Sequence, residues 1–462
     1  LGDGATDSGG CSRDEDVSHR LKRMTFLAAR HAQSLWSRTP VPERRAIMLR
    51  FHDLVLDRQA ELLDAIQLES GKSRSDAFDE VLDVAVTARH YAYRAARLLR
   101  PTRAKGALPL VTSTRVERAP KGVVGIIAPW NYPLTLAVSD AVPALLAGNA
   151  VVLKPDEKTT GTARLALELL QEAGLPENVL QILEGGAEAG QQVAAECDYL
   201  MFTGSTAVGR KLAAQAGQRL IGFSAELGGK NPLIVLESAD IERAARGAVK
   251  ACFSNAGQLC ISVERIYVHE SVAEEFTERF VALTKQLRLG QSWTDDIGHL
   301  VSGEHLQRVA SFVSSAVASG ARVLTGGTHD GLYYSPTVLV DVPHHADLYT
   351  AEVFGPVVYL ETFSTVDEAV TRANDSTYGL NASVWGAVRE ARTVASRLES
   401  GTVNINEGFA AAWGSVDAPM GGWKQSGVGR RHADEGLLKF TESRTVAVQR
   451  LVQISGPTDL SR

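Results

Sequence analysis

Strands and helices alternate along much of this chain, and this alternation restricts its fold more than any other feature. Short apolar runs such as Val123–Ala128 and Ala150–Leu153 have the length of buried strands, and stretches with helical periodicity separate them. A second series of the same kind starts near Pro232. Because a strand–helix–strand connection normally returns to a parallel neighbour, the pattern predicts an α/β fold with parallel sheets covered by helices on both faces.

Chain length and changes in periodicity divide the sequence into two α/β domains and an arm. A chain of 462 residues is too long for one ordinary core. We assign residues 1–106 and 121–228 to the first domain and residues 229–430 to the second. The arm is predicted to contain residues 107–120 and 431–462.

Local periodicity predicts the first helices and the arm. Residues 19–37 and 42–100 have helical spacing, after a Gly-, Ser- and Asp-rich start over 1–18 that we expect to be disordered. Around 107–118 the period falls toward two, which indicates an exposed hairpin, and Thr445–Val452 alternates in the same way. We expect this last strand to pair with the hairpin of another subunit.

Composition excludes several kinds of partner. The net charge of −6 gives no electrostatic reason to expect nucleic acid. The uncharged run over 122–139 is interrupted by Pro129, Asn131 and Pro133, so we predict a buried strand and a turn there rather than a membrane span. Four cysteines are too few for a disulfide framework, and without a signal-peptide pattern they favour a cytoplasmic setting. The histidines show no metal-ligand spacing, so no metal is expected.

Two glycine-containing segments carry the residue types needed to form and hydrolyse a covalent acyl-enzyme. They are Glu226-Leu227-Gly228-Gly229-Lys230 and Asn255-Ala256-Gly257-Gln258-Leu259-Cys260. A thiol becomes a nucleophile where its surroundings lower its pKa, and a nearby carboxylate can then act as general base on water. Taken alone, a cysteine such as Cys260 is more often a small buried residue. A helix cap or one half of a salt bridge would be favoured for Glu226 if Leu-Gly-Gly-Lys did not follow it.

Five further motifs lie at junctions between predicted elements. Lys154 and Glu157 follow a strand, where open α/β sheets bind ligands, although a solvated charge cluster explains them as well. Gly204 and Ser205 lie between a strand and a helix, which suits a pyrophosphate. Asn131 lies between two prolines, where turn asparagines are common. The motifs are Pro129-Trp130-Asn131-Tyr132-Pro133, Val151-Val152-Leu153-Lys154-Pro155-Asp156-Glu157, Phe202-Thr203-Gly204-Ser205-Thr206-Ala207-Val208-Gly209, Glu352-Val353-Phe354-Gly355-Pro356 and Pro419-Met420-Gly421-Gly422-Trp423-Lys424-Gln425-Ser426-Gly427.

Together, and in this order, these segments resemble the aldehyde dehydrogenase superfamily over nearly the whole chain. In detail the chain looks most like succinate-semialdehyde dehydrogenase-like members, particularly around Phe223-Ser224-Ala225-Glu226 and Phe253-Ser254-Asn255. The resemblance implies the aldehyde dehydrogenase fold, with a Rossmann-like NAD(P)-binding first domain, a catalytic second domain and a small β arm for oligomerisation. It also implies a homodimer or a homotetramer.

The resemblance assigns roles to three catalytic residues. Cys260 matches the nucleophile, Glu226 the general base that activates water, and Asn131 the asparagine that holds the oxyanion together with the backbone N–H of Cys260. Members that pass the acyl group to coenzyme A generally lack the glutamate, so Glu226 implies water as the acceptor. The implied activity is oxidation of an aldehyde to the carboxylic acid with NAD or NADP, through a cysteine thiohemiacetal and a thioester.

The resemblance also implies a set of cofactor-binding residues. Lys154 matches the lysine that bonds the adenosine ribose, Glu352 the glutamate that holds the nicotinamide ribose, and Phe354 the ring that packs against the nicotinamide. Glu157 matches a carboxylate that often accepts from the ribose 2′-OH and should repel a 2′-phosphate, so NAD is expected to be favoured over NADP. The full set is Trp130, Lys154, Glu157, Gly204, Ser205, Glu352 and Phe354.

The predicted substrate pocket raises an objection to succinate semialdehyde. In the better-understood enzymes of that group two arginines and a serine hold the distal carboxylate, but the matching positions here are Ser139, Ser254 and about Ala412. Burying an unpaired carboxylate is costly unless Arg430 or Arg431 reaches in. An apolar or aromatic aldehyde is therefore the alternative substrate. The residues predicted for the pocket are Tyr132, Phe253, Phe409 and Trp413.

Two rival functions are compatible with the same motifs. One is a cofactor-independent esterase or thioesterase that uses Cys260 and Glu226. The other is a non-catalytic structural protein that kept the fold. The presence of Cys260, Glu226, Asn131 and Lys154 together argues against the second rival.

Overall fold

Two central sheets organise the structure, a computed structural model that describes residues 25–108 and 110–450. The first is a six-stranded sheet whose strands are parallel except for one antiparallel edge strand, Gly427–Val428. The prediction of a parallel α/β sheet is therefore confirmed. In spatial order the strands are Gly427–Val428, Gly222–Glu226, Tyr199–Thr203, Val123–Ile127, Ala150–Lys154 and Leu180–Ile182.

The second is a seven-stranded sheet, again parallel except for one antiparallel edge strand, Arg322–Thr325. In spatial order its strands are Arg322–Thr325, Thr337–Val340, Val357–Phe363, Val263–His269, Asn231–Val235, Asn381–Trp385 and Thr402–Ile405. Two small antiparallel pairs are His329–Asp330 with Tyr333–Tyr334, and Tyr378–Gly379 with Trp423–Lys424.

The stretch predicted as one helix over 42–100 is broken near Arg58 and again at Gly71. Gly71 has a left-handed φ of 76°, which ends a helix, and the side chain of Ser73 accepts from the N–H of Asp76 to cap the next one. The α-helices are 25–36, Val41–Asp57, Gln59–Ser70, Arg74–Leu99, Thr135–Val138, Ala141–Leu146, Thr160–Glu172, Ala187–Glu196, Thr206–Arg219, Ile241–Phe253, Ala273–Thr284, Gly303–Ala318, Asp347–Thr350, Val366–Asn374, Val388–Ala395, Ala410–Trp413 and Ala433–Leu438. Short 3₁₀ helices are Glu157–Thr159, Ser254–Gly257 and Glu270–Val272.

Each sheet is covered by helices and has its own apolar core. On one face of the six-stranded sheet, Val124 and Val151 pack with residues of the helices Val41–Asp57 and Arg74–Leu99. The opposite face contributes to a separate apolar cluster, and the strand Val123–Ile127 is buried along its whole length. Strands that are buried on both faces are typical of parallel sheets, which explains their continuous apolar runs.

The arm is a three-stranded antiparallel sheet formed within one chain. Its strands are Thr102–Ala104, Thr112–Pro120 and Thr441–Gln449, and the last two pair from Thr112↔Gln449 to Pro120↔Thr441. The expectation that the terminal strand pairs with another subunit's hairpin is therefore wrong, because the strand pairs with Thr112–Pro120 of its own chain. The expectations for residues 1–24 and 451–462 lie outside the described residues.

Residues at the start of the predicted C-terminal arm segment pack against helices that cover the six-stranded sheet instead. The helix Ala433–Leu438 contacts the helices Arg74–Leu99 and Ala141–Leu146, and Leu437 and Phe440 belong to the core beneath them. These contacts bring the loop before that helix, which carries Arg431, toward the end of the six-stranded sheet.

Candidate functional site

Cys260 follows a left-handed turn at the end of the helix Ile241–Phe253. Asn255, Ala256 and Gly257 have φ values of 51°, 54° and 67°. Left-handed backbone costs a residue with a Cβ about 1–2 kcal/mol, and such strain concentrates at functional sites. Glycine is required at 257 because a Cβ there would lie 2.1 Å from the carbonyl oxygen of Gly355. The turn therefore fixes the backbone that presents the Cys260 thiol.

Two cavities meet at Cys260. A narrow cavity has a volume of about 50 Å³, and a wide cavity has a volume of about 270 Å³. Asn131, Leu136 and Cys260 line both cavities. A thiol at this junction can be reached by one ligand from each side.

A buried ion pair holds the loop that carries Asn131. Lys72 Nζ lies 2.5 Å from a carboxylate oxygen of Glu80, and both side chains are fully buried. Lys72 also donates to the carbonyl oxygen of Asn131 at 2.8 Å, while Glu80 accepts from the backbone N–H of Leu134 and Thr135. The Asn131 side chain is directed toward the turn before Cys260, where its Nδ2 donates to the carbonyl oxygen of Gln258 at 3.0 Å.

Replacing Lys72 by methionine should lower the free energy of unfolding by about 3–5 kcal/mol, because Glu80 would remain as an uncompensated buried carboxylate. Equilibrium denaturation in urea measures this loss. The double variant Lys72→Met/Glu80→Gln removes both charges and should recover most of the stability. Equal losses in the single and the double variant would show that the ion pair is not the source of the effect.

Glu226 is the last residue of the strand Gly222–Glu226 and lines the wide cavity together with Cys260. Its side chain is buried. Burial raises the pKa of Glu226 to about 7, against the lowering effect of Arg431 and Lys439. A carboxyl group with this pKa can accept a proton near neutral pH and release it again.

The surroundings of the Cys260 thiol differ from the expectation of a lowered pKa. Burial, with the carboxylates of Glu352 and Glu226, raises the pKa of Cys260 to about 12, and Arg431 opposes this rise. The prediction was wrong for the protein by itself, because desolvation and two nearby acids disfavour the thiolate. Forming the nucleophile therefore requires a base or a positive charge close to the sulfur.

A charged cluster of Arg431, Asp140 and Lys439 borders the narrow cavity. Arg431 forms a buried ion pair with Asp140, and Lys439 Nζ lies 2.8 Å from the same carboxylate. Although burial opposes it, these two cations hold the pKa of Asp140 below its ordinary value. Arg431 lines the narrow cavity, whereas Arg430 donates to the carbonyl oxygens of loop glycines and does not line it.

Three of the four predicted aromatic pocket residues line the narrow cavity: Tyr132, Phe409 and Trp413. The fourth, Phe253, does not. Its ring stacks on Phe280 with a centroid distance of 5.9 Å, in the apolar core of the seven-stranded sheet. The assignment of Phe253 to the pocket was wrong, because this ring lies on the face of its helix that packs against the helix Ala273–Thr284.

The wide cavity contains five of the seven residues predicted to bind the cofactor: Trp130, Gly204, Ser205, Glu352 and Phe354. The helix Thr206–Arg219 begins at this cavity, and the side chain of Ser205 accepts from the N–H of Val208 at 3.4 Å. The N-terminus of a helix of this length favours phosphate groups. The cavity's shape and its polar groups therefore suit a nucleotide with a pyrophosphate.

A second buried ion pair supports the loop with Glu352 and Phe354. Lys230 Nζ lies 2.6 Å from Glu264, whose carboxylate accepts from the N–H of Val353 and from that of Phe354. Glu352 in turn accepts from the N–H of Gly229 at 2.8 Å. The contacts join the Glu226–Lys230 segment to this loop.

Lys154 and Glu157 lie at the end of the strand Ala150–Lys154 and do not line the wide cavity. Lys154 is buried, whereas Glu157 is exposed. No described residue donates a hydrogen bond to the Glu157 carboxylate.

Two polar residues on the wide cavity belong to none of the predicted motifs, His305 and Arg308. Both belong to the helix Gly303–Ala318, where a spacing of three residues places them on one face. His305 Nε2 lies 2.7 Å from the carbonyl oxygen of Phe354, and the ring contacts Trp130 edge to face. Their spacing was the available signal, but an i, i+3 pair is too common to identify a site.

No helix in the described part of the chain is long and apolar enough to cross a bilayer. Within residues 25–108 and 110–450, no group of three or more His, Cys, Asp or Glu side chains is arranged to hold a metal ion.

Comparison with known proteins identifies relatives whose names all refer to reactions of aldehydes. A protein of Mycolicibacterium smegmatis (strain ATCC 700084 / mc(2)155) named "Putative succinate-semialdehyde dehydrogenase", with NADP(+) in its name, is 51% identical over 94% of this chain and 86% of its own length. A Methylomonas sp protein named 4,4'-diapolycopene aldehyde oxidase is 37% identical over 91% of this chain and 80% of its own. The crystal structure of an NAD-dependent aldehyde dehydrogenase from Sinorhizobium meliloti has a TM-score of 0.91 and 36% identity, covering 95% of this chain and 89% of that one.

The Aldehyde dehydrogenase family matches residues 18–446. The similarity extends through both sheets and every segment around the two cavities. This chain therefore belongs to the aldehyde dehydrogenase family and is an NAD(P)-dependent aldehyde dehydrogenase.

Proposed function

We propose that this enzyme oxidises its aldehyde to the free carboxylic acid through a thioester on Cys260. The observation that carries the proposal is the position of Cys260 where the two cavities meet, with Glu226 on the wall of the wide one. The narrow cavity would hold the aldehyde and the wide one the nicotinamide cofactor. Formation of reduced cofactor by the purified protein, with the carboxylic acid as the second product, tests this proposal.

Cys260 attacks the aldehyde carbon to form a thiohemiacetal. Its thiol must first lose a proton to solvent, and the guanidinium of Arg431 favours this loss against the effect of burial. The side-chain amide of Asn131 has two N–H groups, of which one already donates to Gln258. The other, with the backbone N–H of Cys260, would stabilise the alkoxide oxygen.

NAD(P)+, when bound, supplies the hydride acceptor and a positively charged ring that favours the thiolate. The residues that would hold it are those of the wide cavity. The start of the helix Thr206–Arg219, with Gly204 and Ser205, suits the pyrophosphate. Glu352, whose carboxylate acts on the Cys260 thiol, and Phe354 line the same cavity and would hold the nicotinamide riboside. Arg308 adds a positive charge to the same wall.

Glu226 then accepts a proton from water, which attacks the thioester and releases the acid. The buried position of Glu226 keeps the carboxylate poorly solvated and therefore basic. Release of a free acid distinguishes this reaction from transfer to coenzyme A.

The preference between NAD and NADP rests on residues outside the wide cavity. Glu157 is exposed and lacks a described hydrogen-bond donor, so its carboxylate is free to turn away from a 2′-phosphate. The relative from Mycolicibacterium smegmatis has NADP(+) in its name, and the protein from Sinorhizobium meliloti is named NAD-dependent. We therefore propose that the enzyme accepts both cofactors, without the NAD preference expected from Glu157.

Two observations bear on the substrate, and they favour different aldehydes. The name of the 51% identical relative supports succinate semialdehyde. The narrow cavity instead has aromatic walls, and its one guanidinium, Arg431, is already paired with Asp140. We propose a substrate without a terminal carboxylate, since a carboxylate buried there would lack a partner.

Replacing Asn131 by alanine should lower kcat about 100- to 1,000-fold, because one donor to the alkoxide is lost. The KM for the cofactor should stay within about twofold, since this contact forms only as the reaction proceeds. Steady-state kinetics with both substrates varied measures the two effects. A rise in KM with unchanged kcat would instead assign Asn131 to substrate binding.

The steady-state rate should rise with pH through about 7 when hydrolysis of the thioester limits turnover. Glu226 accepts a proton only as the carboxylate, and burial raises its pKa to about 7. Lys439→Met removes a cation that lowers this pKa, so the profile should move to higher pH. A profile that is flat between about pH 6 and about pH 8 in both proteins would argue against Glu226 as the base.

Two rivals remain distinguishable from this proposal. Ester hydrolysis without any nucleotide, as the main activity, would favour the esterase, and absence of all turnover would favour a structural protein. We propose a homodimer or homotetramer, as the resemblance implies, in the cytoplasmic setting that the few cysteines favour. Sedimentation or light scattering measures the assembly.

A further inference from the structure

The narrow cavity carries more negative than positive charge. Three carboxylates line it, those of Asp79, Asp83 and Asp140, together with one guanidinium, that of Arg431. Asp140 is matched by Arg431 and Lys439. No described lysine, arginine or histidine forms a salt bridge with Asp79 or Asp83. These two carboxylates therefore make the net charge of the cavity negative.

Burial disfavours the charged form of both Asp83 and Asp79. Asp83 is buried and accepts from the hydroxyl of Ser139 at 2.8 Å, and burial raises its pKa to about 6. Burial also raises the pKa of Asp79, although Lys250 and Lys72 oppose the rise. Both groups would be stabilised by a positive charge placed in the cavity.

Besides the Nε of Arg431, which is an unpaired donor, two polar atoms on residues that line the same cavity have no hydrogen-bond partner among the described residues. They are Oη of Tyr91, which is 2% exposed, and Nδ1 of His432, which is 5% exposed. Burial lowers the pKa of His432 to about 4, so this ring is neutral at pH 7 and adds no positive charge. A hydroxyl and a neutral imidazole nitrogen can each accept a hydrogen bond.

Buried polar atoms without partners are rare and call for a ligand or water. Asp83, Tyr91 and His432 line one cavity, and each can accept a hydrogen bond. Together they suit a ligand group that has only hydrogen-bond donors. A primary ammonium group has three N–H donors and no acceptor. Trp413 and Phe409 also line the cavity, and aromatic faces attract cations.

We propose that the preferred substrates are aldehydes that carry an ammonium group at the end far from the carbonyl. This inference rests on the proposed function and specifies its substrate class. The ammonium group would donate to Asp83, Tyr91 and His432, while the carbonyl carbon faces Cys260. A terminal carboxylate would instead meet Asp79 and Asp83, and the guanidinium of Arg431 on this cavity is already paired with Asp140.

Three aldehydes separate the possibilities: ω-aminopropanal, its neutral isostere butanal, and succinate semialdehyde, each with NAD+ and NADP+. We expect kcat/KM for ω-aminopropanal to exceed that for butanal at least about tenfold, and succinate semialdehyde to be the poorest of the three. Equal values for ω-aminopropanal and butanal, or a preference for succinate semialdehyde, would overturn this inference alone. If none of the three yields reduced cofactor, the proposed function fails as well.

The carboxylates are tested by Asp83→Asn and, separately, by Asp79→Asn. Each should reduce the ratio of kcat/KM for ω-aminopropanal to that for butanal at least about fivefold, mainly through the KM for ω-aminopropanal. Asp57→Asn is the matched control, because Asp57 is exposed on the surface and lines neither cavity. An unchanged ratio in both cavity variants would overturn the assignment. Because the ratio is measured within one protein, partial loss of folded enzyme cancels.

Discussion

Cys260→Ala should reduce aldehyde oxidation at least about 10⁴-fold, because removing the nucleophile of a covalent mechanism leaves only binding and electrostatic contributions. No thiohemiacetal can form without the sulfur, and among the described residues no other cysteine lines either cavity. The affinity for the cofactor should be retained, since the Cys260 thiol lines only the part of the wide cavity that meets the narrow cavity. Reduced-cofactor formation measures the first effect, and calorimetric titration with NAD+ or NADP+ measures the second.

Cys252→Ala and Cys197→Ala are the matched controls. Both thiols are buried in apolar cores away from the two cavities. Each variant should oxidise aldehyde at close to the parent rate, with a modest loss of stability from the small cavity created. Activity of Cys260→Ala within tenfold of the parent would rule out the thioester route.

Glu226→Gln should release one equivalent of reduced cofactor rapidly and then turn over about 100- to 10,000-fold more slowly than the parent, the range typical of a lost general base. The aldehyde would still be oxidised to the thioester, but water would lack its base. Because glutamine does not titrate in this range, the dependence of the slow phase on pH near 7 should disappear. Stopped-flow absorbance resolves the burst from the steady state.

The exposed Glu242 provides the same chemical change without contact to the site, so Glu242→Gln should behave as the parent. An unchanged steady-state rate in Glu226→Gln would remove Glu226 from the hydrolytic step. Loss of the burst itself would show that Glu226 is needed earlier, as the base that takes the proton of Cys260.

Short-range motifs allowed much of the site to be predicted from the sequence. Cys260, Glu226 and Asn131 follow turns or strand ends whose glycines and prolines are visible locally, and the structure places all three on the wide cavity. Residues of the parallel sheets were recognisable because continuous apolar runs reflect burial on both faces. The strand Gly222–Glu226 was missed, because it is short and its first residues have no clear apolar period.

Long-range ion pairs could not be predicted. Lys72 with Glu80 and Arg431 with Asp140 are charged residues in stretches that resemble solvated surface, and only the packed fold buries them. The last pair joins positions far apart in the chain, so no local pattern links them. The direction of the Cys260 pKa was wrong for the same reason, since it depends on burial and on carboxylates from distant segments.

The direction in which a side chain points from its helix or strand could not be predicted from the sequence either. Phe253 ends a helix, and which neighbour its ring contacts depends on how that helix packs, which periodicity does not determine. The partner of a strand was equally hard to predict in the arm, because alternation of apolar and polar residues indicates a strand but does not identify the strand that it pairs with. Its pairing within one chain came only from the structure.

The most direct test of the account is mass spectrometry of Glu226→Gln after one turnover with aldehyde and NAD+ or NADP+. The account predicts that the protein gains the mass of one acyl group and that the peptide containing Cys260 carries it. Treatment with hydroxylamine should remove this mass, as expected for a thioester. An acyl group on another residue, or a burst of reduced cofactor without any acylated protein, would contradict the assignment of Cys260 as the nucleophile.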